Sequence, residues 1–260
     1  MENNDDKVKR YPCGKIIPEM NRRDFFKVAG TGVVAATALA GMSGCDNVAG
    51  QRVIPTDKMT FRKDPNSGNE LSLLGFGMMR LPRVQRRRGE SLPGVNDLDQ
   101  EAINNLVDYA IAHGVNVFDT APPYCKGFSE SATGEALSKH PRDKYFVATK
   151  LSNFGNPSRE ASIAMYHRSK EQLKVDYIDY YFLHSVGNFR SFETRFIENG
   201  MLDFLLKEKE AGRIRNLGWS FHGEPEFFEY LCSGKYHWDF GMIQVNYLDW
   251  DHIVGRNAIN

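Results

Sequence analysis

Short β-rich apolar runs recur along the chain at intervals of about 27 to 42 residues, with amphipathic segments between them. The runs are Leu73 to Met78, Val115 to Asp119, Tyr145 to Lys150, Tyr180 to His184, Ile214 to Ser220, and Met242 to Val245. That spacing suits a strand plus a crossover helix, so it predicts about six βα units around a parallel sheet. Between the first two runs, Leu98, Ala102, Leu106, Tyr109 and Ala110 are predicted to share the buried face of a helix, opposite Asn104, Asn105 and Asp108. Between the third and fourth runs, Ile163, Tyr166 and Leu173 do the same on a helix that starts after Pro157. Ahead of the first run, TFRK-DPNSGNE-LSLL reads as a β-hairpin around a Pro, Asn and Gly turn.

Two parallel architectures fit such a series: an open doubly wound sheet and an eightfold barrel. The open sheet would carry GxGxxG after its first strand, but Gly75-Phe76-Gly77-Met78-Met79-Arg80 has Arg80 at the third glycine position. A barrel gathers functional residues at the carboxyl ends of several strands, which is where the unusual polar residues of this chain lie. The expected fold class is therefore α/β, a (β/α)8 TIM barrel represented by about six units, with an N-terminal hairpin. From Met59 to Asn260 there are 202 residues, fewer than the roughly 250 such a barrel takes, so the sequence predicts a truncated barrel.

The first 45 residues read as an address. Arg22-Arg23 precedes a mildly apolar stretch, Val28 to Met42, that is too short to cross about 30 Å of hydrocarbon. The pair resembles a twin-arginine export signal. Met42-Ser43-Gly44-Cys45 resembles a lipobox, in which the Cys45 thiol would receive a lipid anchor. The expectation is an exported, periplasmic or cell-envelope protein tethered at Cys45, with ordinary cleavage near Ala38-Leu39-Ala40 as the alternative. The organisation that follows is a signal over 1–45, a tether over 46–58 and a folded domain over 59–260.

Composition narrows the partners. The chain is 41% hydrophobic and 25% charged, ordinary values for a globular protein, and its 33 basic groups balance 33 acidic ones. Loss of residues 1–44 would leave 26 basic against 28 acidic groups, so there is no excess of cations to neutralise a nucleic-acid backbone. The run Arg86-Arg87-Arg88 reads as a solvated loop. Cysteines at 13, 45, 125 and 232 show no ligand or disulfide spacing, so no metal is expected and an iron-sulfur cluster is not expected in this chain.

Four groups stand at or just beyond the ends of consecutive predicted strands: Asp119, Tyr124, Lys150 and His184. A barrel would bring them to one mouth. Reducing a carbonyl requires hydride at carbon and a proton at oxygen, and a phenol near an ammonium can supply the proton. Tyr124 is the expected donor, with Lys150 lowering its pKa, Asp119 orienting Lys150, and His184 orienting the carbonyl oxygen.

The stretches LSLLGFGMMRLP, GVNVFDTAPPYCKGFSESATGEAL, YFVATKL, VDYIDYYFLHS, GRIRNLGWSFHG and MIQVNYLDW together resemble the aldo/keto reductase superfamily. GWSFHG is similar to a bacterial branch whose longer members carry a ferredoxin-like C-terminal segment. The resemblance implies a nicotinamide-dependent oxidoreductase acting on an aldehyde or ketone, with Asp119, Tyr124, Lys150 and His184 as the catalytic tetrad. It further implies Ser220 and Gln244 at the nicotinamide carboxamide, with Gly77 and Thr120 as further cofactor contacts. The implied cofactor is NADP, with NAD as the alternative, and the implied partner is a small carbonyl substrate. Two rival readings are an exported binding module without catalysis and a redox protein fed by a partner chain.

Overall fold

The computed structural model describes residues 58–84 and 96–244. The expected signal, tether and Cys45, the Arg86 run and Val245 lie outside the described residues. Strands β1 (Phe61–Lys63) and β2 (Glu70–Ser72) form the expected antiparallel hairpin, with Phe61 opposite Ser72. Asp64 accepts from the Asn66 backbone N–H and the Ser67 hydroxyl and thereby shapes the turn.

Six parallel strands follow: β3 (Phe76–Gly77), β4 (Val117–Asp119), β5 (Phe146–Leu151), β6 (Ile178–Val186), β7 (Ile214–Phe221) and β8 (Phe240–Ile243). They lie in strictly sequential order, each paired in parallel with the next. A doubly wound sheet reverses its order at a switch point, and this one does not, so the arrangement is that of a curling barrel wall.

The helices between strands are α1 (Gln100–Ala112), α2 (Ser129–Leu137), α3 (Arg159–Leu173), α4 (Phe189–Phe192), α5 (Met201–Glu210) and α6 (Pro225–Cys232). A π-helical turn, Glu193–Ile197, continues α4. Asp99 caps α1 by accepting from the Ala102 N–H, and Ser158 caps α3 by accepting from Ala161. Tyr166 and Leu173 of α3 are buried and Ile163 packs beside them, as the periodicity predicts. The face predicted for α1 holds at Ala110 and at Leu98, which packs against the core, and is corrected at Leu106 and Tyr109. Ile103, Val107 and Ala110 are its buried residues, whereas Leu106 and Tyr109 are exposed and Tyr109 stacks on His113. The stripe at i, i+4 and i+7 meets the sheet, and apolar character alone did not identify it.

Alternation along each strand sorts the side chains into two layers. Val147, Leu151, Tyr181, Leu183, Leu217, Trp219 and Phe221 belong to the apolar layer beneath the helices. Their neighbours Phe146, Ala148, Tyr180, Phe182 and Phe240 form a separate cluster on the opposite, concave face, with Leu71 of the hairpin packed against it. By the same period of two, Asp119, Lys150, His184 and Ser220 belong to the concave face. At the carboxyl end of β6 the register shifts around Ser185, whose φ is 51°, so that Val186 rejoins the helix-side core.

Candidate active site

The centre of the site is Lys150. Its side chain is only 2% exposed, and its ammonium donates to Asp119 Oδ1 at 2.7 Å, to Asp119 Oδ2 at 2.8 Å and to the Thr120 carbonyl at 2.7 Å. An ammonium has three hydrogens, so all of its donors are engaged. Burial pushes the Asp119 carboxyl up and the Lys150 ammonium down, and each group's charge opposes the other's shift.

Tyr124 is brought to this pair by a tight turn. Its N–H bonds the Ala121 carbonyl at 3.1 Å, and the next three residues, Cys125, Lys126 and Gly127, have φ of 49°, 59° and 92°. Only Gly127 adopts that region without steric cost. The buried Cys125 thiol donates to the Met79 carbonyl at 3.2 Å, which ties the turn to the segment after β3. Cys125 is thus a packing residue of this turn. The Lys150 Nζ lies 4.7 Å from the centroid of the Tyr124 ring.

The expected acidification of Tyr124 is corrected. Its pKa is pushed up to about 12, chiefly by burial and then by the Asp119 charge. With its hydrogens on Asp119 and Thr120, Lys150 faces the ring and its charge is largely answered by the carboxylate, so the phenol stays protonated.

His184 stands beside Tyr124, ring centroids 6.0 Å apart and nearly perpendicular. Its pKa is lowered to about 3, first by burial and then by the positive charges of Lys150 and Arg195 and by His222. The imidazole is therefore neutral near pH 7. Ser152 Oγ lies 2.5 Å from its Nδ1, and Phe154 packs 5.1 Å away, centroid to centroid. All four expected groups, Asp119, Tyr124, Lys150 and His184, thus meet at the carboxyl ends of β4, β5 and β6.

The remaining expected positions divide. Ser220 is buried near the end of β7 and its Oγ accepts from the Ser185 N–H at 2.8 Å. That bond leaves the hydroxyl hydrogen free to donate. Gln244 directly follows β8 and is exposed. A Cβ at Gly77 would meet nothing within 4 Å, so the end of β3 borders open space. Thr120 differs: its hydroxyl is buried and bonded to Ser129 Oγ at 2.8 Å, and Ser129 in turn donates to the Met78 carbonyl at 2.6 Å. Thr120 offers the site its main-chain carbonyl, already taken by Lys150.

Sequence reasoning did not anticipate Ser152, Asn153 or Arg195. The first two follow Lys150 and Leu151 in KLSN, a polar break at a strand end that could have drawn notice. Arg195 lies over 40 residues away in an unremarkable helical stretch and gave no local signal.

The Aldo/keto reductase family model matches residues 73–260. D-arabinose 1-dehydrogenase of Saccharomyces cerevisiae is 36% identical over 144 residues, which are 50% of this chain and 39% of the yeast protein. The NADH-specific methylglyoxal reductase of Escherichia coli is 31% identical over 169 residues, 58% of this chain and 49% of that protein. The chain spans about half the length of the curated relatives it matches. Among solved structures, an aldo-keto reductase from Pseudomonas aeruginosa matches with a TM-score of 0.61 at 24% identity, covering 80% of this chain and 76% of that one. The holo form of an aldo-keto reductase from Bacillus halodurans matches with a TM-score of 0.55, also at 24% identity, covering 78% and 64%. These likenesses show the fold, the curled parallel sheet of a barrel.

Proposed function

The chain belongs to the aldo/keto reductase family, and on that premise we propose that it reduces an aldehyde or ketone with a nicotinamide dinucleotide, using Tyr124 as proton donor. The observation that carries this reading is the Lys150–Asp119 pair under the Tyr124 ring, with a neutral His184 alongside.

The residues present fit the cofactor's carboxamide. Ser220 keeps a hydroxyl hydrogen to donate, and the Gln244 amide both donates and accepts. When bound, the dinucleotide supplies the hydride. Tyr124 supplies the other half of the reduction: its O–H bond breaks and the proton moves to the substrate oxygen. A phenol near 12 is still a far stronger acid than the alcohol being formed, so the transfer is downhill. The phenolate left behind has the Lys150 ammonium 4.7 Å from its ring centroid, so that charge attracts it through space while the ammonium's hydrogens stay on Asp119 and Thr120. A neutral imidazole at His184 donates a hydrogen bond to the carbonyl oxygen through Nε2 when Ser152 satisfies Nδ1 as a donor to it, a tautomer set by that bond. Charge building on that oxygen thus meets donors already in place.

Tyr124→Phe removes one hydroxyl and tests the assignment. With NADPH and a panel of small aldehydes, kcat should fall by about 10²–10⁴-fold while quenching of tryptophan fluorescence by NADPH is unchanged. Unchanged turnover would remove Tyr124 from the chemistry. A wild-type chain that neither binds NADPH nor NADH would favour a binding module without catalysis. Preference for NADP over NAD is part of the proposal and is read in the same titrations.

The address completes the proposal: export by the twin-arginine route and lipid attachment at Cys45, supported by Arg22-Arg23 and by Met42-Ser43-Gly44-Cys45. Cys45→Ser should abolish incorporation of labelled palmitate in the bacterial host and move the protein from the membrane to the soluble fraction. Labelling that survives the substitution would refute the anchor.

A further inference from the structure

Arg195 is a buried cation without a carboxylate partner among the described residues. It sits in the π-helical turn Glu193–Ile197, is 6% exposed, and burial pulls its pKa down to about 10. A guanidinium in such a place is costly unless its donors are satisfied. Here they reach main-chain carbonyls at the ends of two strands: His184 at 2.8 Å, Ser185 at 3.4 Å and Leu151 at 3.5 Å. Its Nε donates to Asn153 Oδ1 at 3.1 Å. The Arg195 carbonyl is held in return by Nδ2 of Asn153 at 3.0 Å and of Asn199 at 2.8 Å. The rings of Phe154 and Phe196 pack on the guanidinium, 4.3 Å and 4.6 Å to their centroids.

Two features make this more than a core contact. The acceptors are the carbonyl of His184 itself, that of Ser185 in its left-handed conformation, and that of Leu151, the residue after Lys150. Phe154, which covers Arg195, also packs on the His184 ring. A planar fork with several fixed donors can set the spacing of two chain ends in a way that a single-point ammonium cannot.

We propose that Arg195 is a positioning residue: by clamping the carboxyl ends of β5 and β6 it fixes the His184 imidazole beside Tyr124. It touches no reacting atom and acts through His184. The proposal rests on the reductase reading for its effect on turnover, but the clamp itself can be tested without turnover.

The experiment compares wild type with Arg195→Met and Arg195→Lys in the full chain. The ¹⁵N resonances of the His184 side chain, assigned with His184→Gln, report its tautomer and order. Kinetics with NADPH and a small aldehyde give kcat and KM separately, and fluorescence quenching gives NADPH affinity. The expected result for Arg195→Met is displaced or broadened His184 resonances, kcat lower by on the order of a hundredfold, and NADPH affinity within about twofold of wild type. Arg195→Lys should keep the fold and show a smaller change of the same kind. It carries the test should Arg195→Met fail to fold. Unchanged His184 resonances in a folded variant overturn the proposal. So does a loss of activity that only follows the folded fraction, with KM and resonances unaltered. If wild type reduces no carbonyl, the reductase reading fails, and the resonances alone decide the clamp.

Discussion

Replacing Lys150 by Met isolates the electrostatics on which the site depends. Met keeps most of the stem's volume but removes the three donors that Asp119 Oδ1, Asp119 Oδ2 and the Thr120 carbonyl now share. Breaking a fully buried ion pair by deleting one partner costs about 3–5 kcal/mol, because the other charge is left unanswered. The Asp119 side chain is 23% exposed, so water reaches it and the expected loss near pH 7.5 is about 2–3 kcal/mol. The loss depends on pH with a definite sign. Burial already raises the Asp119 pKa, and Lys150 is what opposes that rise, so the variant's carboxyl titrates higher still. A carboxyl whose folded pKa lies above its unfolded value binds more protons in the native state between the two. The stability it confers is complete below the unfolded pKa and disappears as pH rises through the folded one. Urea unfolding of wild type, Lys150→Met and Lys150→Met/Asp119→Asn at pH 5.0 and 7.5 provides the assay. The single variant's deficit should shrink at pH 5.0, and the double variant should recover a large part of it at pH 7.5. An equal deficit at both pH values, or a double variant no more stable than the single one, would show that lost packing rather than an orphaned charge destabilises the protein.

Two further substitutions probe the surroundings. His184 titrates near 3 in place of the ordinary 6.5, so the native state binds fewer protons than the unfolded one between those values, and wild type loses stability as pH falls through that window. His184→Gln should flatten the curve by about 2 kcal/mol between pH 7.5 and 4.5, measured by urea unfolding, and an unchanged slope would contradict a neutral, buried imidazole. A Cβ at Gly223 would lie 2.1 Å from the Gly187 carbonyl oxygen, where the segments after β6 and β7 cross. Gly223→Ala should therefore cost about 1–3 kcal/mol in thermal unfolding, whereas Gly155→Ala, which meets nothing within 4 Å, serves as the neutral comparison.

The strand series was legible because each apolar run ends in a polar residue that the pleat puts on the concave side: Asp119 on β4, Lys150 on β5, His184 on β6 and Ser220 on β7. Those polar strand ends, together with Arg80 at the third position of the glycine motif, distinguished a barrel wall from a doubly wound sheet, and the sequential strand order agrees. Other features depend on three dimensions. Leu106 is as apolar as Ile103 and Val107, yet it is exposed while they are buried, because the side of α1 that meets the sheet is set by tertiary packing. The direction in which the Tyr124 pKa moves was misjudged for a similar reason. Proximity of an ammonium to a phenol can be inferred from sequence, but the fact that all three of its hydrogens are spent on Asp119 and Thr120 cannot. Arg195 was invisible because a guanidinium serving carbonyls needs no matching side chain elsewhere in the sequence.

These corrections change the chemistry expected of the mouth. The carboxylate and ammonium answer each other, the imidazole is neutral and the phenol holds its proton, so the four groups together carry almost no net charge. Arg195, buried against the His184 carbonyl, adds one positive charge beside them. On the proposed reductase reading, the substrate is an uncharged carbonyl, on whose oxygen negative charge appears only as the reaction proceeds. Donors that are neutral beforehand bind the ground state weakly, and they strengthen once that charge develops. Had Lys150 ionised Tyr124 in the resting site, the proton required by the product oxygen would already have been lost. On the proposed reductase reading, a phenol that keeps its proton in the resting site, with the Lys150 ammonium beside its ring, is the arrangement that serves reduction.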